Sequence, residues 1–225
     1  VSLLTAVLSE GKYLGDWLKY EQDNHYSRDM VTVLAGSGSD RVLTSGMVLA
    51  KVVTGAGSSA AATNTGNGVM GAITVGADAK AGVYTLVVIE PGSNAGKFVV
   101  EDPDGIVVGE GTVAVAFTGG GISFTLADGS TDFASGDSFA ITVAAGSLKY
   151  VQIDFAGTAG QDAAAGILLL NTTAVDGSDA AGVIIARGAL VSANGITWPV
   201  GATTNQKNAA IAQLKTLGII VREGA

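Results

Sequence analysis

The stretch NGITWPVGATTNQKNAAIAQLKTLGIIVRE, Asn194 to Glu223, carries the plainest local signals in the chain. Thr203-x-x-Gln206 has the spacing of a capping box, in which each side chain satisfies a backbone N–H left open at a helix start. Ala210, Leu214 and Leu217 follow at i, i+4 and i+7, an apolar stripe one helix face wide. Gly218 stands where a helix turns into the left-handed conformation and stops. IIVRE then reads as a final strand. Ahead of the cap, Pro199 breaks a strand ladder, and Trp198 is expected to end that strand as a large buried anchor in a core of small residues.

Upstream of this block, SLKYVQIDFAG, AAGILLLNTTAV, AAGVIIARGALV and GITWPVG are β-branched or apolar segments separated by DGSD and ANG turns. MVTVLAG and RVLTSGMVLAKVV, from Met30 onward, have the same character and are expected to complete their sheet. Between the two groups lies a denser pattern: GAITVG, GVYTLVVIE, GKFVVED, GIVVGEG, TVAVAF, ISFTLA and DSFAITVAA. Seven short strands this close together predict a small β-sandwich. Alternation in KFVVED and SFAITV puts Phe98, Val100, Phe139 and Ile141 on its buried face, and EDPDGI (Glu101 to Ile106) is a tight turn. The small-residue stretch TGAGSSAAATNTGNG reads as a linker, with a boundary near Gly68. The fold class is therefore mainly β with one C-terminal helix. A host domain of residues 31–68 and 147–225 is interrupted by an inserted sandwich at 69–146.

Residues 1–30 are a separate chemistry. They hold Trp17, Tyr13, Tyr20, Tyr26 and the only histidine, with no sustained period. Such a segment is expected to be an arm that offers its aromatics to a partner and is mobile until it meets one.

Twelve basic and twenty acidic residues give a net charge of −8, with no basic cluster, which argues against nucleic acid as a partner. Only 14% of residues are charged, against roughly 25% in an average soluble domain, while 48% are apolar. The mean hydropathy is +0.43. No apolar run approaches the ~18 residues of a membrane span, and the start of the chain is a poor secretory signal, so the expectation is a soluble, unexported protein. An apolar surface of low charge then points to burial against other subunits. Cysteine is absent, so no disulfide or thiolate site is available.

No catalytic site, metal site or cofactor is expected. His25, in EQDNHYSRD, has neither a second histidine nor a nucleophile beside it and reads as solvated or touching a partner. Asp128, Asp132 and Asp137 in ADGSTDFASGD miss the spacing of a calcium loop, and turn chemistry accounts for them, as it does for Asp176 and Asp179. The glycine-rich pieces lack a phosphate loop's GK[ST] ending.

The AGILL strand before an acidic turn, the R-x-A-x-V strand, and WP followed by a lysine-bearing helix ending in LGIIVRE together resemble the head decoration protein D family of lambda-like tailed phages. LLTAVLSEGKYLGDWLKYEQDNHYSRDMVTVLAG and RVLTSGMVLAKV are similar to the longer members. The resemblance covers residues 1–60 and 147–225; residues 69–145 look like a β insertion some members carry. It implies a β-tulip-like decoration domain and a capsid cement protein on the outer surface of the virion, assembled in the host cytoplasm. It also implies homotrimers at three-fold positions, bound to the major capsid protein through the arm. Tyr13, Leu14, Trp17, Tyr20 and Tyr26 are the arm's contact candidates, and Trp198 and Pro199 are expected near the trimer or capsid-facing surface. Removing residues 1–30 would then abolish head binding and leave a folded protein. Two other readings stay open: a tail-tube or baseplate subunit, and an insert that displays a glycan- or host-binding module.

Overall fold

A computed structural model describes residues 12–224. In chain order the elements are α1 (Leu14–Trp17), β1 (Leu18–Glu21), α2 (Asn24–Ser27), β2 (Arg28–Val33), β3 (Arg41–Leu43) and β4 (Val48–Lys51). Then come β5 (Thr54–Ala61), β6 (Thr74–Val75), β7 (Gly82–Gly92), β8 (Ala95–Glu101), β9 (Val107–Thr112), β10 (Ala116–Gly119), β11 (Ile122–Thr125) and β12 (Ser138–Ala145). The chain closes with β13 (Tyr150–Gln152), β14 (Ala164–Leu168), β15 (Thr172–Ala174), β16 (Ala180–Ile185), β17 (Ala189–Ser192), α3 (Thr204–Thr216) and β18 (Ile219–Arg222). The protein is mainly β, as the strand-rich sequence requires.

It divides into two compact units. The first comprises Val1–Ala50, Tyr150–Ile153 and Ala163–Ala225, the second Lys51–Lys149 and Asp154–Asp162. The second unit thus starts well before Gly68 and takes back a short segment after residue 153.

In the first unit β13-β2-β16-β14-β4 close into a barrel. Val33, Leu43, Leu49, Leu168, Ala174 and Ile184 fill one of its cores. β15 pairs with β3, and β1-β17-β18 form a further sheet in which β17 and β18 run parallel. A parallel pair needs a crossover, and α3 supplies it. Thr203 and Gln206 form the capping box, Ala210 and Leu214 are buried, and Gly218 takes φ +76°. Leu217 is on the rim and not in the stripe, 37% exposed, because it caps the helix with φ −83° and ψ 0°. Gln213 Oε1 accepts from the Ala164 backbone N–H at 2.8 Å, tying helix to barrel strand.

The second unit is a sandwich. β5-β12-β7-β8-β9 make one sheet and β10-β11-β6 the other. Tyr84, Leu86, Phe98, Val100, Ile122, Phe124, Phe139 and Ile141 lie between them, so the four residues picked out by alternation are all buried. Phe98, Phe117 and Phe124 cluster at ring separations of 5.1–6.0 Å.

The supposed linker is a correction. Thr54–Ala61 is β5, paired antiparallel with β12 from Phe139↔Ala61 to Ala145↔Thr54. Its side chains are small on both faces, so no hydrophobic alternation marks it. The bulk comes from neighbours: a Cβ on Gly57 would lie 2.6 Å from Ile73, and Cβ atoms on Gly66 and Gly68 would each lie 2.5 Å from the Phe133 ring. GITWPVG is a second correction, since Ala193–Gly195 form a 3₁₀ turn and Thr197 makes only an isolated bridge to Met47.

Carboxylates hold the turns. Asp137, 6% exposed, accepts from the backbone N–H groups of Thr65 (2.9 Å), Gly66 (2.8 Å) and Ala134 (3.0 Å). Burial pushes its pKa up, but the three donors together prevail and hold it below the ordinary carboxylate value. Asp102 accepts from Asp104 and Ile106 across the β8–β9 turn and pairs with Lys80 at 2.6 Å. Asp132 accepts from Asn94. Asp176 and Asp179 accept from Gly38 and Ala35 and stitch two loops of the barrel unit together.

Candidate interaction surface

The first nineteen described residues, 12–30, are woven into the barrel unit, contrary to a mobile arm. β1 pairs with β17 through Leu18↔Val191, Tyr20↔Leu190 and Glu21↔Ala189, and β2 is a barrel strand. Arg28 and Glu21 form an ion pair between neighbouring elements. Residues 1–11, the rest of the expected arm, lie outside the described residues.

Trp17, the expected partner anchor, is 0% exposed. Its indole N–H donates to Ser45 Oγ at 2.9 Å, and the Ser45 hydroxyl donates on to the Leu169 carbonyl at 2.8 Å. The Asn171 side chain accepts from Ser45 N. Gly195 is required beside it, since a Cβ there would lie 2.3 Å from Trp17 Cβ. Trp198, expected as a buried anchor, is only half-buried, as is Pro199, and Val200 beyond them is fully exposed. Trp198 does not end a sheet strand, because the chain leaves the sheet in the Ala193–Gly195 3₁₀ turn before reaching it.

Lys12 closes the same junction. Its ammonium donates to the Gly195 carbonyl and to Thr197 Oγ1, both at 2.6 Å. Partial burial lowers its pKa, with Asp16 opposing. Asp16 accepts from Tyr13 N at 2.8 Å and so caps the short α1. Lys12, Tyr13 and Leu14 line a groove with Leu169, Leu170 and Asn171. Leu14 is half-buried, while Tyr13 and Leu170 are exposed.

The other candidate tyrosines gather elsewhere on the unit. Tyr20, Leu190 and Ile220 are aligned across β1, β17 and β18 and line a second groove with Gln22, Gly188 and Gly218. Tyr26 borders it, since a Cβ on Gly188 would lie 2.9 Å from its ring. Arg187 donates to the Tyr26 carbonyl at 2.7 Å, pairs with Asp29 at 2.5 Å, and stands 5.7 Å over the Tyr26 ring. Lys12, Leu170, Leu190 and Ile220 escaped sequence reasoning because each groove sets them beside residues from the opposite end of the chain, as when Lys12 meets Gly195 across 183 positions or Tyr20 pairs with Leu190.

His25 is exposed beside the α2 cap, where its backbone N–H donates to Asp23 Oδ1. Among the described residues no group of three or more His, Cys, Asp or Glu side chains is placed to hold a metal ion. No described helix is long and apolar enough to cross a membrane. What the barrel unit presents is a pair of shallow apolar grooves with tyrosines at their rims, geometry suited to contact with another macromolecule.

No curated protein matches the chain. Among solved structures, two crystal forms of Xanthomonas campestris FlgL match at 21% identity and a TM-score of 0.32. The matches cover 48% and 47% of this chain and 34% and 33% of FlgL, so the chain spans about a third of the solved chains' length. That level of likeness says nothing about the fold. The family model described as bacteriophage lambda head decoration protein D matches residues 7–219, both units included, and the chain belongs to that family.

Proposed function

We propose that this phage head decoration protein binds the outside of the expanded capsid as trimers at three-fold positions and cements the shell against the pressure of packaged DNA. The observation that carries the reading is the family match over residues 7–219. The family is a structural one and not a family of enzymes. A net charge of −8 suits a surface that does not handle DNA. Low charge with exposed Tyr13, Tyr20 and Tyr26 suits burial against neighbouring subunits.

The contact to the major capsid protein is assigned to residues 1–11 together with Tyr13 and Leu14. Trp17 leaves that set because it is a core residue. The Tyr20–Leu190–Ile220 groove and half-buried Trp198 and Pro199 are assigned to contacts within the decorated surface, between copies or with the shell. The physics of cementing is linkage: a ligand of the expanded state alone stabilises it by about 2.7 kcal/mol per site at a hundredfold excess over Kd.

The test is to mix the full-length protein with undecorated heads of its own phage, expanded and unexpanded, and measure co-sedimentation and shell breakage. Saturable binding to expanded heads with raised resistance to breakage is expected. Binding to tails alone, or to neither form of head, overturns the reading.

A further inference from the structure

We propose that Asn194 is a site of spontaneous covalent modification: the Gly195 backbone nitrogen attacks its side-chain amide, and the asparagine becomes aspartate and isoaspartate. A bond forms between Gly195 N and Asn194 Cγ, the Cγ–Nδ2 bond breaks, and the Gly195 amide proton leaves with the side-chain nitrogen as ammonia. Water then opens the cyclic imide at either carbonyl, giving an ordinary aspartyl linkage or one routed through the side chain. Glycine in the following position favours the attack, since no Cβ obstructs the approach. Of the chain's eight asparagines only Asn67 and Asn194 precede glycine. Their surroundings set the two apart.

The Asn67 side chain is held at both ends: Oδ1 accepts from Thr131 N and Nδ2 donates to Ser130 Oγ, each at 2.9 Å. Gly68 behind it is buried, and a Cβ there would lie 2.5 Å from Phe133 Cζ. Asn194 is exposed, and among the described residues neither its side chain nor Gly195 N makes a hydrogen bond. The Ala193–Gly195 turn must open for the nitrogen to reach Cγ, but the bond that closes it, Ile196 N to the Ala193 carbonyl, is long at 3.3 Å. Asn67 must break two side-chain hydrogen bonds and Asn194 none, which at ordinary strengths makes Asn194 about tenfold the faster site.

The isoaspartyl product carries an extra methylene in the main chain directly ahead of Gly195, where packing is tight. A Cβ on Gly195 would lie 2.3 Å from Trp17 Cβ and 2.7 Å from the Asp16 carbonyl oxygen. The Gly195 carbonyl accepts from Lys12 at 2.6 Å, and Ile196 next to it is buried. The cover over Trp17 therefore loosens as the chain ages.

The experiment incubates the full chain at mildly alkaline pH, folded and in guanidinium chloride, and follows both Asn-Gly sites by mass-spectrometric peptide mapping. Methylation by an isoaspartyl methyltransferase marks the lengthened product. In the folded chain Asn194 should convert about tenfold faster than Asn67; in guanidinium, with both side chains freed, the two rates should come together. The melting temperature should fall as isoaspartate accumulates. Asn194→Gln, whose longer side chain closes its ring far more slowly, should keep its melting temperature over the same incubation. Freshly prepared Asn194→Asp should melt near the parent, which assigns the loss to the lengthened main chain and not to the new charge. Failure of Asn194 to convert in the folded chain, or an Asn67 that converts as fast, overturns the inference. So does a rate ratio that persists in guanidinium, or an equal fall in melting temperature for Asn194→Gln.

Discussion

Trp17 and Trp198 look alike in composition and differ in what surrounds them. Trp17 is fully buried with its indole N–H bonded to Ser45, whereas Trp198 is half-exposed. Trp17→Ala is expected to cost about 3–5 kcal/mol, the usual loss for a buried large aromatic. Trp198→Ala should cost distinctly less. Thermal or denaturant unfolding of the two variants decides it, and an equal loss would contradict the assignment of Trp17 to the core. Ser45→Ala, which leaves the indole N–H without its acceptor, should cost about 1–3 kcal/mol. Trp17's burial is not legible locally, because the groups that cover it, Ser45 and Gly195, come from distant parts of the chain.

Elements were readable where their own residues state the pattern. The α3 cap, its buried Ala210 and Leu214, and the stop at Gly218 all follow from side chains within one helix. Thr203→Ala should cost about 1 kcal/mol by removing the acceptor for Gln206 N, a loss measurable by thermal unfolding. β5 was unreadable because Gly, Ala and Ser mark neither face. Its end of the sandwich is secured instead by Asp137, whose carboxylate collects three backbone donors. A carboxyl whose folded pKa lies below its unfolded value stabilises fully above the unfolded pKa and loses that contribution as pH falls through the folded one. Melting temperature should therefore drop below about pH 4, near the ordinary Asp value. Asp137→Asn should lower it at pH 7 and flatten that acid decline; an unchanged acid profile in the variant would count against the clasp.

At the scale of the molecule the two units differ sharply in charge. The sandwich unit holds four lysines, no arginine and eleven carboxylates, a formal −7 of the chain's −8. Its first and last strands are joined where they begin and end: Val52 N donates to the Lys149 carbonyl at 3.0 Å and Leu148 N to the Val52 carbonyl at 2.8 Å. Replacing residues 53–148 by a short glycine-serine turn should therefore leave a folded barrel unit. The excision takes away two lysines and nine carboxylates and moves the formal charge from −8 to −1. Circular dichroism should show a cooperative melt, and retention on an anion exchanger should fall steeply. A chain that aggregates or melts without cooperativity would contradict this modularity. Trimming from the other end should behave differently. Loss of residues 1–30 removes Trp17, β1 and part of β2, so it should unfold the barrel unit and not merely free it from the head.

The sequence by itself determined the strand-rich class, seven of the eight sandwich strands, the capped helix and the family likeness. Each is written in neighbouring residues, through alternation, capping or turn chemistry. Only the tertiary structure decided that Trp17 is core and Trp198 rim, that TGAGSSAA is a strand, and that Lys12 meets Gly195. Those outcomes depend on which distant segment comes to lie opposite. A small or aromatic side chain has no fixed environment until that segment arrives.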